Sequence, residues 1–294
     1  MDKLLTIVVP CYNEAFNIPL FFPKLLAFAE KNNYALLAVN DGSLDNTGDL
    51  LNQLAEKSEL KVLHHKCNCG YGAALKTGLR AVETEYAITV DADGQHRLQD
   101  ISTCFNYLQE HDLDLVVGAR TNDASGFYRN LGKWMIRMFA KSLLTLPVKD
   151  LNSGMKCYRM CEAKAYLPLC PDTMAFSDVI LLLMINDKKS VSEIPIQVEP
   201  RLKGVSTIGT RTAFVTIAEI VNLSVLLRPM TTFFRLGLFF GNLGIILSIF
   251  TYLKSSTITP AAVMMIMLGL VCFVLGLLGE QLSQIRKHLA GLKK

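Results

Sequence analysis

A chain of 294 residues has room for one large domain or two modest ones. Hydrophobic residues make up 51% and the mean hydropathy is +0.31, which excludes an ordinary soluble enzyme and requires an apolar surplus somewhere along the chain. A net charge of +4 gives no argument for nucleic acid. The eight cysteines contain no C-x-x-C pair, so reduced thiols are expected rather than a zinc site or a redox pair.

Met1-Asp2-Lys3 and the short apolar run after it do not read as a secretory signal, so the first half is expected to stay on the side where it is made. Residues 4–9 are a strand of β-type residues that Pro10 should stop, leading through Cys11-Tyr12-Asn13-Glu14 into a helix over 16–29. A second strand over 35–39 ends in Asn40-Asp41-Gly42-Ser43-Leu44-Asp45-Asn46-Thr47. Capping of a helix over 48–55 would alone explain Asp45 or Thr47; Asp41, directly at the strand end, is less easily dismissed. A third strand over 60–65 precedes Gly70-Tyr71-Gly72-Ala73-Ala74-Leu75-Lys76 and a helix to about 82. Leu75 stands where a dinucleotide fingerprint needs its third glycine, so a loop approaching a nucleotide is preferred to that motif; Lys76 either solvates its helix or reaches that site.

A fourth strand over 86–90 delivers Asp91 and Asp93, one residue apart, followed by Gly94, Gln95 and His96. Strand-loop-helix units in succession imply an α/β fold with a mostly parallel sheet flanked by helices, whose loops gather ligands at one edge. Carboxylates suit Mg²⁺ or Mn²⁺, and such ions keep open positions for phosphates. The bland rival is that Asp93 caps a helix starting near Leu98.

Together, Val9-Pro10-Cys11-Tyr12-Asn13-Glu14, the 39–47 segment, Gly70-Tyr71-Gly72-Ala73-Ala74 and Asp91-Ala92-Asp93-Gly94-Gln95-His96 resemble the family 2 inverting glycosyltransferases. More narrowly, they resemble dolichyl-phosphate mannosyltransferases and bacterial polyprenyl-phosphate glycosyltransferases. The resemblance implies a glycosyltransferase A-type fold. It also implies that Pro10, Tyr12, Glu14, Asp41, Gly72, Asp91, Ala92 and Asp93 line a nucleotide-sugar site, and that Asp91, Asp93 and Gln95 hold the metal. Tyr12 offers a stacking face, and Glu14 or Asp41 can accept from a base N–H or a ribose hydroxyl.

Further on, a strand over 113–117 ends in Gly118-Ala119-Arg120, and Arg129, Lys133 and Arg137 form a cationic stripe around the single Trp134. Family members carry phosphate-binding basic residues here, so Arg120 is assigned to the donor and Arg129, with Lys133, to the acceptor phosphate. Asp150-Leu151-Asn152-Ser153-Gly154-Met155-Lys156 resembles the family's D-x-x-S-G-x-R/K segment, with Ser153 beside the acceptor. Asp178, before an apolar helix over 179–185, matches an acid of related sequences, with helix capping as its rival. Ile194-Pro195-Ile196 resembles a family strand, and Arg201-Leu202-Lys203-Gly204-Val205-Ser206 an R-x-x-G-x-S segment whose Arg201 and Ser206 lie near donor diphosphate or lipid phosphate.

Residues 208–230 have the pattern of an interfacial helix. No charge falls in 236–253 or 255–279; the first run reaches roughly 27 Å at about 1.5 Å per residue, close to the ~30 Å hydrocarbon core. The expected organisation is a catalytic domain over 1–207, the interfacial helix, and a membrane domain over 231–294 with spans near 236–253 and 259–280. Basic residues outside the spans put both termini in the cytoplasm, in a multi-pass inner-membrane protein.

The chemistry implied is attack by a polyprenyl phosphate on a UDP- or GDP-linked sugar, with Asp91, Asp93, Arg129 and Asp178 as the candidate catalytic residues. A phosphate monoester is largely ionised at neutral pH, its second pKa being near 6, so a strong base is not needed and the case for Asp178 as one is weakened. A hydroxyl acceptor, which would need that base, is one alternative; a non-catalytic nucleotide-sugar-binding membrane protein is another. A processive synthase is disfavoured because no Q-x-x-R-W occurs. A homo-oligomer is compatible with the sequence, which chooses neither sugar nor nucleotide.

Overall fold

The structure, a computed structural model, describes residues 3–121, 148–151, 153–199 and 229–289, without the side chains of 286–289. The chain divides into two compact units, Met1–Thr210 and Arg211–Lys294.

In the first unit, β1 (Leu5–Cys11), β2 (Ala35–Asn40), β3 (Leu60–His64), β4 (Tyr86–Thr89), β5 (Leu115–Arg120), β6 (Lys156–Arg159) and β7 (Val191–Ile196) form one sheet. Its order is β3-β2-β1-β4-β6-β5-β7. All pairings are parallel except those of β6, which runs antiparallel between β4 and β5. The helices are α1 (Ile18–Lys31), α2 (Thr47–Ala55), α3 (Tyr71–Arg80), α4 (Leu98–Glu110), the single turn α5 (Met160–Ala163) with a 3-10 continuation (Lys164–Leu169), and α6 (Phe176–Asn186).

Every residue of β1 and of β4 is buried, as expected of strands covered on both faces. On one face α1 packs Ile18, Phe21, Phe22 and Leu25, and α4 packs Ile101, Cys104, Phe105 and Leu108, against Leu5, Ile7 and Val9. These spacings follow the helical repeat, and each such large side chain contributes about 1.5–3 kcal/mol on burial. On the other face Gly78 of α3 lies directly on Val8 and Val39. From β1 the chain moves outward to β2 and β3, then returns to β4 on β1's other side. The loops after β1 and β4 therefore part at a topological switch point, where such sheets bind ligands.

Two expectations fail here. Pro10 does not stop the first strand, which runs to Cys11 and pairs Pro10 with Val39. Val8 accepts from Val90 of the β4 side and Cys11 accepts from Asp41 of the β2 side, so by alternation Pro10 faces β4, beyond the last of these bonds. Its missing N–H ends the β1–β4 ladder there without interrupting the pairing to β2. The second surprise is β6, which the sequence reading does not propose as a strand.

In the second unit α7 (Pro229–Ser255) and α8 (Pro260–Leu289) form a hairpin. Both are long and apolar enough to cross a membrane, and with only 6% and 17% of their apolar windows buried, neither is the core helix of a soluble domain. Small residues bring the backbones together: a Cβ on Gly237 would meet the Gly269 carbonyl at 2.9 Å. Met230, expected in an interfacial helix, lies in α7, and both helices outrun their apolar stretches because a polar residue does not by itself end a helix.

Candidate active site

The loops after β1 and β2 are laced together by side chains. Asn13, at φ 55°, donates its N–H to Ser43 Oγ (3.0 Å) and accepts from Leu44 N–H on Oδ1 (2.9 Å). Glu14 N–H donates to Thr47 Oγ1 (2.8 Å) and Ala15 N–H to Asp45 Oδ2 (3.1 Å). Asp45 also accepts from Thr47 N–H, so it ties the two loops; the helix N-cap is Asn46, with no side-chain capping bond. Asp45 therefore combines the capping-type bond expected of it, to the first N–H of α2, with a tertiary role, while Thr47 Oγ1 serves the β1 loop. Slight burial would raise the Asp45 carboxyl, but the bonds from Thr47 and Ala15 hold it below its usual range. Tyr12 leaves its ring 41% exposed beside this pair of loops.

Asp41, 2% exposed, accepts from the N–H of Cys69 (3.0 Å) on Oδ1 and of Gly70 (2.9 Å) on Oδ2, and His65 Nδ1 lies 2.6 Å from Oδ1. It organises the loop before α3 from the end of β2. Gly72 backs onto the Pro171–Thr173 backbone, where a Cβ would meet Pro171 O at 2.5 Å. Lys76 binds the Cys170 carbonyl (2.9 Å) and Asp172 (2.5 Å), so it fixes that turn rather than reaching the β4 edge.

Asp91 follows β4 at the switch point. Its Oδ1 accepts from the Tyr71 hydroxyl (2.9 Å) and His96 Nε2 lies 3.5 Å from Oδ2, with 33% of the side chain open. Burial alone would raise its carboxyl; His96 and Tyr71, helped by Arg120, outweigh it and hold Asp91 below the ordinary range. Tyr71 is pushed well above its usual value by burial and then by Asp91, so it stays protonated as a donor. Asp93 Oδ1 accepts from Gln95 N–H (3.1 Å), and α4 starts after Arg97 with no side-chain cap, so the capping rival for Asp93 falls. Ala92 is buried beneath them. Gln95 donates its amide to Glu199 O (3.2 Å) and accepts from Glu199 N–H (2.9 Å), joining this loop to the chain leaving β7.

Against Asp91 lies Gly154, ahead of β6. Arg120 engages Asp150 with its guanidinium fork, Nε to Oδ2 at 2.7 Å and Nη2 to Oδ1 at 2.9 Å. Lys156 is fully buried in β6 and donates to the carbonyls of Leu151 (3.0 Å) and Ser153 (2.6 Å). Burial pushes its ammonium down to about 8, against the pull of Asp178 and Asp150. Asp178 lies in the first turn of α6, whose N-cap is Ala175 without a capping side chain; the capping rival for Asp178 is overturned, and its buried carboxylate favours the Lys156 charge electrostatically. Ser153 Oγ is buried with no hydrogen-bond partner among the described residues. Arg129, Lys133, Arg201 and Ser206 lie outside the described residues.

Sequence reasoning missed Tyr71, His65 and Lys156. Tyr71 was visible only as part of a glycine-rich run, His65 as a strand end, and Lys156 as a cation where arginine is frequent.

The glycosyl transferase family 2 model matches residues 6–163, and the GtrB C-terminal hairpin model matches 228–285. Among curated proteins, a Dictyostelium discoideum dolichyl-phosphate beta-glucosyltransferase is 27% identical over 213 residues, covering 65% of each chain. A Rhizobium johnstonii dodecaprenyl-phosphate galacturonate synthase is 26% identical over 82% of this chain and 71% of its own. A Photorhabdus laumondii undecaprenyl-phosphate 4-deoxy-4-formamido-L-arabinose transferase is 27% identical over 59% and 57%. The chain thus spans less than two thirds of the first and third of these relatives. Among solved structures, Mycobacterium tuberculosis glucosyl-3-phosphoglycerate synthase with Mn²⁺, UDP and phosphoglyceric acid shares the fold at a TM-score of 0.58 and 14% identity, over 76% of this chain and 78% of that one.

Proposed function

Because the chain belongs to glycosyl transferase family 2, we propose that it transfers a sugar from a nucleotide-sugar to a polyprenyl phosphate at the cytoplasmic face of a membrane, with inversion at the anomeric carbon. The acceptor class is supported by the names of the three curated relatives and by the GtrB hairpin match. The observation that carries the reading is the Asp91 carboxylate, kept ionised by Tyr71 and His96 at the switch point of the sheet.

Tyr12, Glu14 and Asp41 take the base and ribose, with Pro10, Gly72 and Ala92 shaping the floor of the cradle. The donor set of Asp91, Asp93 and the Gln95 amide oxygen fits a hard divalent cation, Mg²⁺ or Mn²⁺, because ionised carboxylates and a neutral oxygen are its preferred ligands. Such an ion offsets the charge of the leaving diphosphate, typically by several kcal/mol. Ser153, whose buried hydroxyl is free to donate, is the described residue best suited to the acceptor phosphate. The family resemblance assigns Arg129, Lys133, Arg201 and Ser206 to the donor and acceptor phosphates, and Arg120 would act beside them from its Asp150 anchor. Asp178 is not asked to remove a proton, since the lipid phosphate arrives ionised. Its electrostatic coupling to Lys156 suits a structural charge better.

The hairpin spans the membrane twice, with both termini cytoplasmic and the Lys254 end outside, as the distribution of basic residues favours. Purified full-length protein in detergent, given polyprenyl phosphate, Mg²⁺ and a panel of nucleotide sugars, should yield one glycosyl-phosphoryl lipid by mass spectrometry. Absence of such a product with every donor would reject the proposal.

A further inference from the structure

Asp41, at the end of β2, meets His65 and Cys69 of the β3–α3 loop where the β2–α2 and β3–α3 loops come together. One ligand atom from each, a carboxylate oxygen, an imidazole nitrogen and a thiol sulfur, lie within 4.8 Å of one another. We propose that these three residues bind a borderline divalent ion of the Zn²⁺ class, with the fourth tetrahedral position left to solvent. A mixed O, N and S set selects zinc-like ions, whereas the oxygen set of Asp91, Asp93 and Gln95 selects Mg²⁺ or Mn²⁺. The cysteine spacing alone argues against zinc; His65 from the same loop and Asp41 from the end of β2 reverse that expectation.

The site is preformed. Gly42, at φ 62°, lets the two loops touch backbone to backbone, since a Cβ there would fall 2.6 Å from Asn68 N. Asp41 keeps its bonds from the N–H groups of Cys69 and Gly70 when an ion arrives, because a carboxylate has lone pairs for all three partners. The metal–Nδ1 bond of His65 replaces the 2.6 Å contact with Asp41. With the ring neutral, its proton then resides on Nε2 and is donated to Thr77 Oγ1, 2.9 Å away, which can serve as donor or acceptor and so holds either tautomer. The Cys69 thiol releases its proton to solvent as the metal–sulfur bond forms. Cys69 is exposed, so the ion has an entry path.

On the donor-site reading given above, Asp41 cannot serve the ion and a nucleotide at once, so a zinc-class ion would exclude the donor. The test does not depend on that reading. Full-length protein in detergent, freed of metal by chelation, is titrated with Co²⁺. One ion per chain should produce the absorption of tetrahedral cobalt with a sulfur-to-cobalt charge-transfer band, displaced by Zn²⁺. Cys69→Ser should abolish the charge-transfer band, and His65→Gln should weaken binding by more than the roughly 10–100-fold typical of lost outer-shell partners. Cys161→Ser, at an exposed thiol elsewhere, and Asp93→Asn should leave the band unchanged. A wild-type protein without the band, or a band that survives Cys69→Ser, overturns the site.

Discussion

Gly154 lies against the carboxylate of Asp91: a Cβ at position 154 would fall within van der Waals contact of Oδ2 and 2.9 Å from Cγ. Thr89 fixes the glycine by donating to its carbonyl at 2.7 Å. Both approaches are closer than van der Waals contact allows, and the atoms in the way belong to the end of a side chain, so Gly154→Ala should fold normally and displace Asp91 instead. A misplacement near 1 Å costs about 10²-fold in rate, which is the loss expected in steady-state transfer with an unchanged melting temperature. Full activity in Gly154→Ala would refute the coupling.

Tyr71→Phe removes the hydroxyl that donates to Asp91 while leaving its ring. Asp91 is held low against burial by His96 and Tyr71, so loss of one donor lets its pKa rise. Sugar transfer should then fail at a higher pH on the acid side than in wild type. A pH–rate profile superimposable on wild type would count against this role.

The Lys156 ammonium loses its proton near 8 in the folded protein, against 10.5 for a free lysine. Between those values the unfolded chain binds more protons, so this group makes stability rise with pH, and below about 8 its buried charge costs roughly 3 kcal/mol. Thermal unfolding of wild type and Lys156→Met across that window should show wild type gaining relative to the variant as pH rises. A constant difference would mean that Lys156 does not titrate there.

Arg120 and Asp150 form a two-bond pair with the carboxylate side chain only 17% exposed. Arg120→Ala strands that carboxylate and should cost about 3–5 kcal/mol in denaturant unfolding. Adding Asp150→Leu should recover part of the loss, the signature of a coupled pair. Additive effects would show the two residues to be independent.

The repeated strand-loop-helix units and the hairpin were legible because apolar runs ended in Gly, Asn and Asp punctuation or ran on without charge. β6 was not: Lys-Cys-Tyr-Arg has no apolar run, and a lysine reads as solvated until its carbonyl partners are seen. The carboxylates of the site were found from their positions at strand ends. Their supporters were not, since Tyr71, His65 and Lys156 act through contacts with distant segments that no local spacing encodes. Capping competed as an explanation of Asp45, Asp93 and Asp178 for the complementary reason, a helix start being the nearest local explanation for an acid.

The sharpest test of lipid-phosphate transfer compares polyprenyl phosphate with the matching polyprenol as acceptor, for wild type and Asp93→Asn, by mass spectrometry of the lipid fraction. Wild type should yield a divalent-ion-dependent glycosyl-phosphoryl lipid with the phosphate alone, and folded Asp93→Asn no product. Glycosylation of the polyprenol, or near-native turnover by Asp93→Asn, would contradict it.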